Sequence, residues 1–495
     1  MSRSAWAAWG FVAAVVALTA VRLAGLSMAR AELYVDEAQY WFWSQTPAWG
    51  YFSKPPLLAW ITGLASPFCG DGSACIRAPS TLAWSLTALF VFAIGRTLYG
   101  VRAAVFAGLS ALLAPGAVVS SRILSTDAPL LTLWSAALWA LVRLRAGGGW
   151  GWAVLLGLAT GLGFLAKYAM LYGLGCAALA VVFDRATRRA LLSWKGAVAG
   201  LIALAIAASN LIWNLNNGLV TARHTAGNAA NDGLTPGVVE PVVFFLTQFA
   251  LAGPVVFAGW LIALAAVMRG RTLPEARLLL MFSLPVVAVV TALAALSEAN
   301  GNWAAPALIA VFVLGAATLS NTARGRRWLT AGLALGLAVQ GAVVVLDARA
   351  DSLTVAGKAP YAKVMGFQAL TQAVADRAAA EHVRVVVGEA RSHVALMTYH
   401  GRDRAIDVRA WPAADPADPQ DHFQMTRPLT PADRGPVLAV APCAGADRFV
   451  GWGQVTDLGP ITVRSAGAEK RTVHLFRLED PTGAPRRPGA CADRR

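Results

Sequence analysis

Asp36-Glu37-Ala38-Gln39-Tyr40-Trp41-Phe42-Trp43, followed closely by Tyr51-Phe52-Ser53-Lys54-Pro55-Pro56-Leu57, comes just after an apolar stretch at about residues 6–26. About 20 apolar residues suffice to cross a bilayer core as a helix. Charge placed directly after such a run belongs to a loop at the membrane surface, where Trp and Tyr also concentrate. Two acids, an aromatic belt and a lysine held extended before two prolines therefore share one membrane-adjacent loop. That combination points to a polytopic membrane protein with chemistry at its surface.

Composition agrees. Of 495 residues, 57% are hydrophobic and 14% charged, against about 25% charged in soluble domains. The net charge of +15 could suit nucleic acid, but most of the Arg sits in short connectors between apolar stretches, where it orients a membrane protein. A nucleic-acid partner is therefore not expected. The 46 Gly and 18 Trp fit close helix contacts and headgroup anchoring. Cys176 lies in an apolar segment. Cys69 with Cys75, and Cys443 with Cys491, share polar regions and could pair in an oxidising space. No Cys/His spacing matches a structural zinc site.

Apolar stretches fall at roughly 6–26, 80–98, 103–121, 128–145, 151–166, 169–183, 192–212, 238–268, 276–296, 303–320 and 328–346, about eleven spanning helices. The fifth and sixth are short enough to be a tilted pair or a re-entrant hairpin. The stretch 57–68 is too short to span and suits an interfacial helix. Basic connectors alternate: Arg96 and Arg102; Arg143 and Arg145; Arg185, Arg188, Arg189 and Lys195; Arg269, Arg271 and Arg277; Arg324, Arg326 and Arg327. The positive-inside rule makes these loops cytoplasmic, with the N-terminus inside and the C-terminal part outside. Asp36, Glu37, Asp127, Asp232, Glu240 and Glu298 then face outward, and only Asp184 and Glu275 face inward. Ala29-Arg30-Ala31 loosely resembles a signal-peptidase site, but Arg22 interrupts the apolar run and an uncleaved first helix reads better.

Residues 1–346 thus read as a membrane domain, with 27–79 its first outer loop. Residues 347–495 read as a small extracytoplasmic α/β domain: a helix at 362–382 and strands at 383–387, 405–408, 437–440 and 473–478.

Arg30, Lys54, Arg77, Arg122, Lys167 and Arg223 break the orientation pattern by falling on the outer side. Singly they read as snorkelling helix ends or salt-bridge partners; as a set they suit a phosphate group. Asp36 and Glu37 open a helical segment, where an acid can cap, act as general base or hold a divalent cation. Asp127, in Ser125-Thr126-Asp127-Ala128-Pro129, is equally a cap or a site acid. Lys167-Tyr168 lies between two short apolar segments. Asn210-Leu211-Ile212-Trp213-Asn214, running on to Arg223-His224, and Glu298-Ala299-Asn300-Gly301-Asn302-Trp303 are polar loops that fit turns as well as ligands.

In combination, the acidic pair, Tyr-Phe-Ser-Lys-Pro-Pro-Leu, Ser-Thr-Asp-Ala-Pro-Leu, Gly-Phe-Leu-Ala-Lys-Tyr, Asn-Leu-Ile-Trp-Asn and Asn-Trp-Ala-Ala-Pro resemble glycosyltransferase family 39 over most of residues 30–310. That family includes protein O-mannosyltransferases and the aminoarabinose transferase of lipid A. The resemblance implies a GT-C helix bundle and a polyprenyl-phosphate-linked sugar donor. It implies Asp36 as base in an inverting transfer, Lys54 near the donor phosphate and Asp127 as a second loop acid. Glu37 joins these as a candidate catalytic acid. Arg77, Arg122 and Lys167 are candidate phosphate ligands; Tyr51, Tyr168, Asn214, Arg223, Glu298 and Asn302 are candidate substrate contacts. A divalent cation near Asp36 or Asp127 is compatible with that set. Where the aminoarabinose enzyme has an acid before its lysine, this chain has Ser53.

The function expected is transfer of a sugar to lipid A or another envelope glycolipid, outside the inner membrane of a bacterium. A protein O-glycosyltransferase is the alternative within the family. A flippase is the alternative outside it, but flippases place charge at mid-membrane on broken helices.

Overall fold

In the computed structural model, residues 2–230, 237–271, 275–433 and 435–491 are described. Asp232 lies outside them. The backbone divides into two compact units: residues 1–27, 54–61 and 74–344, and residues 28–53, 62–73 and 345–495.

The first unit is helical, and the apolar stretches named above are mostly helix. Among the described residues, five helices are long and apolar enough to cross a membrane, seven if each sharply bent pair counts as one span. That is fewer than the eleven expected, because several stretches are broken. The 238–268 stretch divides into Val239–Ala252 and Pro254–Met268 with a 116° bend. Gly253 turns the chain there with φ 91°, and Pro254 starts the next helix. The 103–121 stretch stops at Leu113 and resumes as the short helix Pro115–Ser120. Trp150–Ala166 and Leu171–Phe183 are separated by extended Lys167 and a single 3-10 turn, Tyr168–Met170.

Small residues set the helix spacing. Gly157 and Gly161 face Trp194–Asn216 so closely that a Cβ would stand 2.6 Å from the Ala199 carbonyl oxygen and 2.8 Å from the Ile206 Cβ. Ala307–Ser320 is buried on every side, as an apolar helix at the centre of a bundle should be. Asp184 and Glu275, the two acids expected on the inner side, both bind Arg145, at 3.0 and 2.7 Å.

The second unit combines the segments 28–53 and 62–73 with the C-terminal domain. Its sheet has the order β2-β1-β3-β5-β4, with β1 Val385–Gly388, β2 Asp407–Ala410, β3 Val437–Ala441, β4 Trp452–Arg464 and β5 Lys470–Pro481. The first three are parallel; β5 pairs antiparallel with β3 and β4. Edge strand β4 tolerates Pro460 beside a register shift between Asp457 and Gly459. The helix Phe367–Ala380 receives Glu32 at its N-terminus, where the carboxylate accepts from the amides of Gly366, Phe367 and Gln368 at 2.8–3.1 Å. Burial raises the Glu32 pKa, and those three amides oppose the rise. A disulfide joins Cys443 to Cys491, and Cys176 is free and buried.

Candidate functional site

In the membrane unit, three helix ends meet. Asp127 is the first residue of Asp127–Arg145, a helix that closes on Arg143 and Arg145 in accord with its dipole. Lys167 ends Trp150–Ala166 in extended conformation, and Asn302 lies in the 3-10 turn Gly301–Ala304 before the buried helix. Lys167 donates to Asp127 Oδ1 at 2.6 Å, and Asn302 Nδ2 donates to Oδ2 at 2.8 Å. Each oxygen of the acid thus has a protein donor, one an ammonium and one an amide. Among the described residues, no group of three or more His, Cys, Asp or Glu side chains could hold a metal. The turn under Asn302 is fixed by Gln248, a fully buried amide donating to the Gly301 carbonyl at 3.1 Å.

Tyr168, next to Lys167, donates to Asn210 Oδ1 at 2.8 Å and accepts from Asn214 Nδ2 at 3.1 Å. Tyr168 and Asn214 also reach the wall of an apolar cavity of about 910 Å³, lined by Trp134, Phe164, Leu174, Ala203, Ala207 and Leu211 among others. Arg77 and Arg122 are both 3% exposed, and Arg122 donates to the Gly25 carbonyl at 3.1 Å. Lys54 is half-buried. Arg223 and Glu298 are exposed.

In the second unit the acidic pair separates in role. Glu37 is fully buried and accepts from the Tyr34 amide at 2.9 Å, closing the first turn of Val35–Ser44. Asp36 is exposed and receives Arg391 Nη1 on Oδ1 at 2.8 Å. Tyr51 is buried, stacked on Trp43 at 4.6 Å, with its hydroxyl donating to the Trp43 carbonyl. Arg391 and Gln248 were not among the residues singled out from sequence. For Gln248 a signal existed, since an amide inside an apolar helix is costly unless satisfied; for Arg391 none did.

The family model for dolichyl-phosphate-mannose-protein mannosyltransferases matches residues 53–213. A lipid A galacturonosyltransferase, RgtD of Rhizobium johnstonii, is 31% identical over 425 residues, covering 85% of this chain and 88% of the relative. The chain belongs to glycosyltransferase family 39. Over a shorter stretch of 130 residues this family member is 38% identical to an undecaprenyl phosphate-alpha-4-amino-4-deoxy-L-arabinose arabinosyl transferase of Edwardsiella ictaluri, covering 24% of this chain and 22% of that one. Its fold matches ArnT of Cupriavidus metallidurans, solved with undecaprenyl phosphate, with a TM-score of 0.65 at 16% identity over 96% of this chain and 98% of that one. This family 39 chain is accordingly a multi-pass membrane glycosyltransferase with a GT-C fold and a small C-terminal sheet domain.

Proposed function

We propose that this transferase moves a uronic sugar from a polyprenyl phosphate to lipid A or a related envelope glycolipid. The observation that carries the reading is the Asp127–Lys167–Asn302 cluster, with Tyr168 leading from it to an apolar cavity of about 910 Å³. A lipid-linked donor needs both parts: apolar walls for the isoprenoid tail and a polar end for its phosphate. The RgtD relative acts on lipid A with galacturonate by its name. Ser53 in place of an acid beside Lys54 removes a carboxylate that would suit an amino sugar and repel a uronate.

In this reading Asp36 takes the proton of the acceptor hydroxyl, whose oxygen attacks the anomeric carbon. The bond from that carbon to the phosphate oxygen breaks, and the lipid phosphate leaves with the electron pair. Lys54, Arg77 and Arg122 are the cations assigned to the charge that develops on the leaving phosphate. Asp127 and Lys167 hold each other, and with Asn302 they shape the polar end of the donor site. Tyr168 and Asn214 face the donor, while Arg223 and Glu298, being exposed, would meet substrate only at the site's margin. The outward placement of the second unit in the periplasm of a bacterial inner membrane, with the N-terminus inside, rests on the alternating basic connectors and on the Cys443–Cys491 disulfide, which suits an oxidising compartment.

The test is purified full-length protein incubated with lipid A and synthetic polyprenyl-phosphate galacturonate, aminoarabinose or mannose. A product heavier by one uronic residue, formed only with the first donor, supports the proposal. Transfer of aminoarabinose or mannose to lipid A instead, with none of galacturonate, sinks it.

A further inference from the structure

We infer that Arg391, from the C-terminal domain, is the positioning residue for Asp36, an inference that rests on Asp36 being the base. Asp36 lies in the first turn of Val35–Ser44, but the capping there is done by Glu37, so Asp36 is not spent on its own backbone. Among the described residues its side chain has one hydrogen-bond partner, Arg391, and that bond falls on Oδ1 alone. Oδ2 stays open to receive a proton.

The same Arg391 nitrogen reaches Gln39 Oε1 at 3.2 Å. Gln39 is 2% exposed and lies three residues after Asp36, on the same helix face. One guanidinium nitrogen thus ties an exposed carboxylate to a fixed, buried amide one turn away. Arg391 is itself held, because it opens the helix Arg391–His400, which packs on Val35–Ser44. The Trp41 and Tyr399 rings meet edge-on at 5.1 Å, and the Tyr399 hydroxyl donates to the Asp71 carbonyl at 2.8 Å.

As a stabilising device the pair would do little, since the Arg391 and Asp36 side chains are 40% and 57% exposed and exposed ion pairs contribute weakly. As an orienting device it does much. A general base must keep one oxygen aligned with the hydroxyl it deprotonates, and small displacements of a reacting group are costly. A domain without a recognisable motif therefore supplies part of the reaction apparatus.

The experiment compares Arg391→Ala, Arg391→Lys and Asp36→Asn in full-length enzyme, with and without added guanidinium chloride at tens of millimolar. Arg391→Ala is expected to lower kcat about 10- to 100-fold with KM for the lipid donor and the unfolding midpoint unchanged. Guanidinium is expected to restore several-fold activity to Arg391→Ala and none to Asp36→Asn, and Arg391→Lys to fall between Ala and wild type. Wild-type kcat in Arg391→Ala beside a dead Asp36→Asn overturns the positioning role alone. An active Asp36→Asn overturns the base assignment beneath it. Loss of activity in Arg391→Ala with no guanidinium rescue, or with a lowered midpoint, makes Arg391 structural and also overturns the inference.

Discussion

Lys167 and Asp127, 40 residues apart in the chain, stand 2.6 Å from one another at the ends of two different helices. The partners are 19% and 12% exposed, so loss of either leaves a poorly hydrated charge behind. Asp127→Asn and Lys167→Ala are each expected to lower kcat/KM on the order of 10²-fold. The double variant should lose no more than the worse single one, because the two residues act as a unit. A double-mutant cycle on purified enzyme measures this; additive losses would show that the residues work separately.

Ala207→Trp fills the apolar cavity from the side of Trp194–Asn216. It should raise KM for a long polyprenyl donor about tenfold or more while leaving a short-prenyl donor nearly unaffected, because only the long tail competes with the new ring. Steady-state kinetics with the two donors decides it; an equal effect on both would remove the cavity from donor binding.

His422 is packed among Phe42, Trp43 and Tyr51, and burial lowers its pKa from 6.5 to about 3. The unfolded chain therefore binds a proton that the folded unit refuses between about pH 6.5 and pH 3. Its contribution to stability is complete above pH 6.5 and fades as pH falls through that window. His400, lowered by burial to about 4, adds to the same acid limb. Glu32, raised by burial, works the other way. His422→Phe, which keeps a ring in the aromatic box, should flatten the fall in unfolding midpoint between pH 7 and pH 4; an unchanged slope would assign the acid sensitivity elsewhere.

Cys443 and Cys491 close a loop across a sequence separation of 48. Chain entropy assigns such a loop about 4 kcal/mol. Cys443→Ser with Cys491→Ser, or reductant on the wild type, should lower the unfolding midpoint of the C-terminal unit by several degrees. Indifference of the midpoint to reductant would contradict this.

The helices were legible because apolar runs of spanning length have few other uses. Their breaks were not, since hydropathy counts side chains and is blind to the backbone turn that Gly253 makes at φ 91°. Strand β4 escaped because Gly459-Pro460 reads as a turn, and only an edge position lets the strand continue through it. In the site, Asp127, Lys167 and Asn302 each stood out as a polar residue beside an apolar run. Their meeting did not, because the Asp127–Asn302 bond spans 175 residues. Arg391 gave no signal: an arginine in a polar tail is ordinary until the helix it opens is seen against Val35–Ser44. Buried Glu37 and Tyr51, both conspicuous in the sequence, each hydrogen-bond the local backbone.

The segments 28–53 and 62–73 belong with the C-terminal sheet and not with the helices that flank them in sequence. Anyone grafting the soluble portion of a relative onto this transferase must therefore cut the gene in more than one place. A single crossover near residue 345 would exchange the sheet while leaving behind the helix that bears Asp36. Recombination would then part the acid from its arginine, and Glu32 from the helix start at Phe367 that it binds.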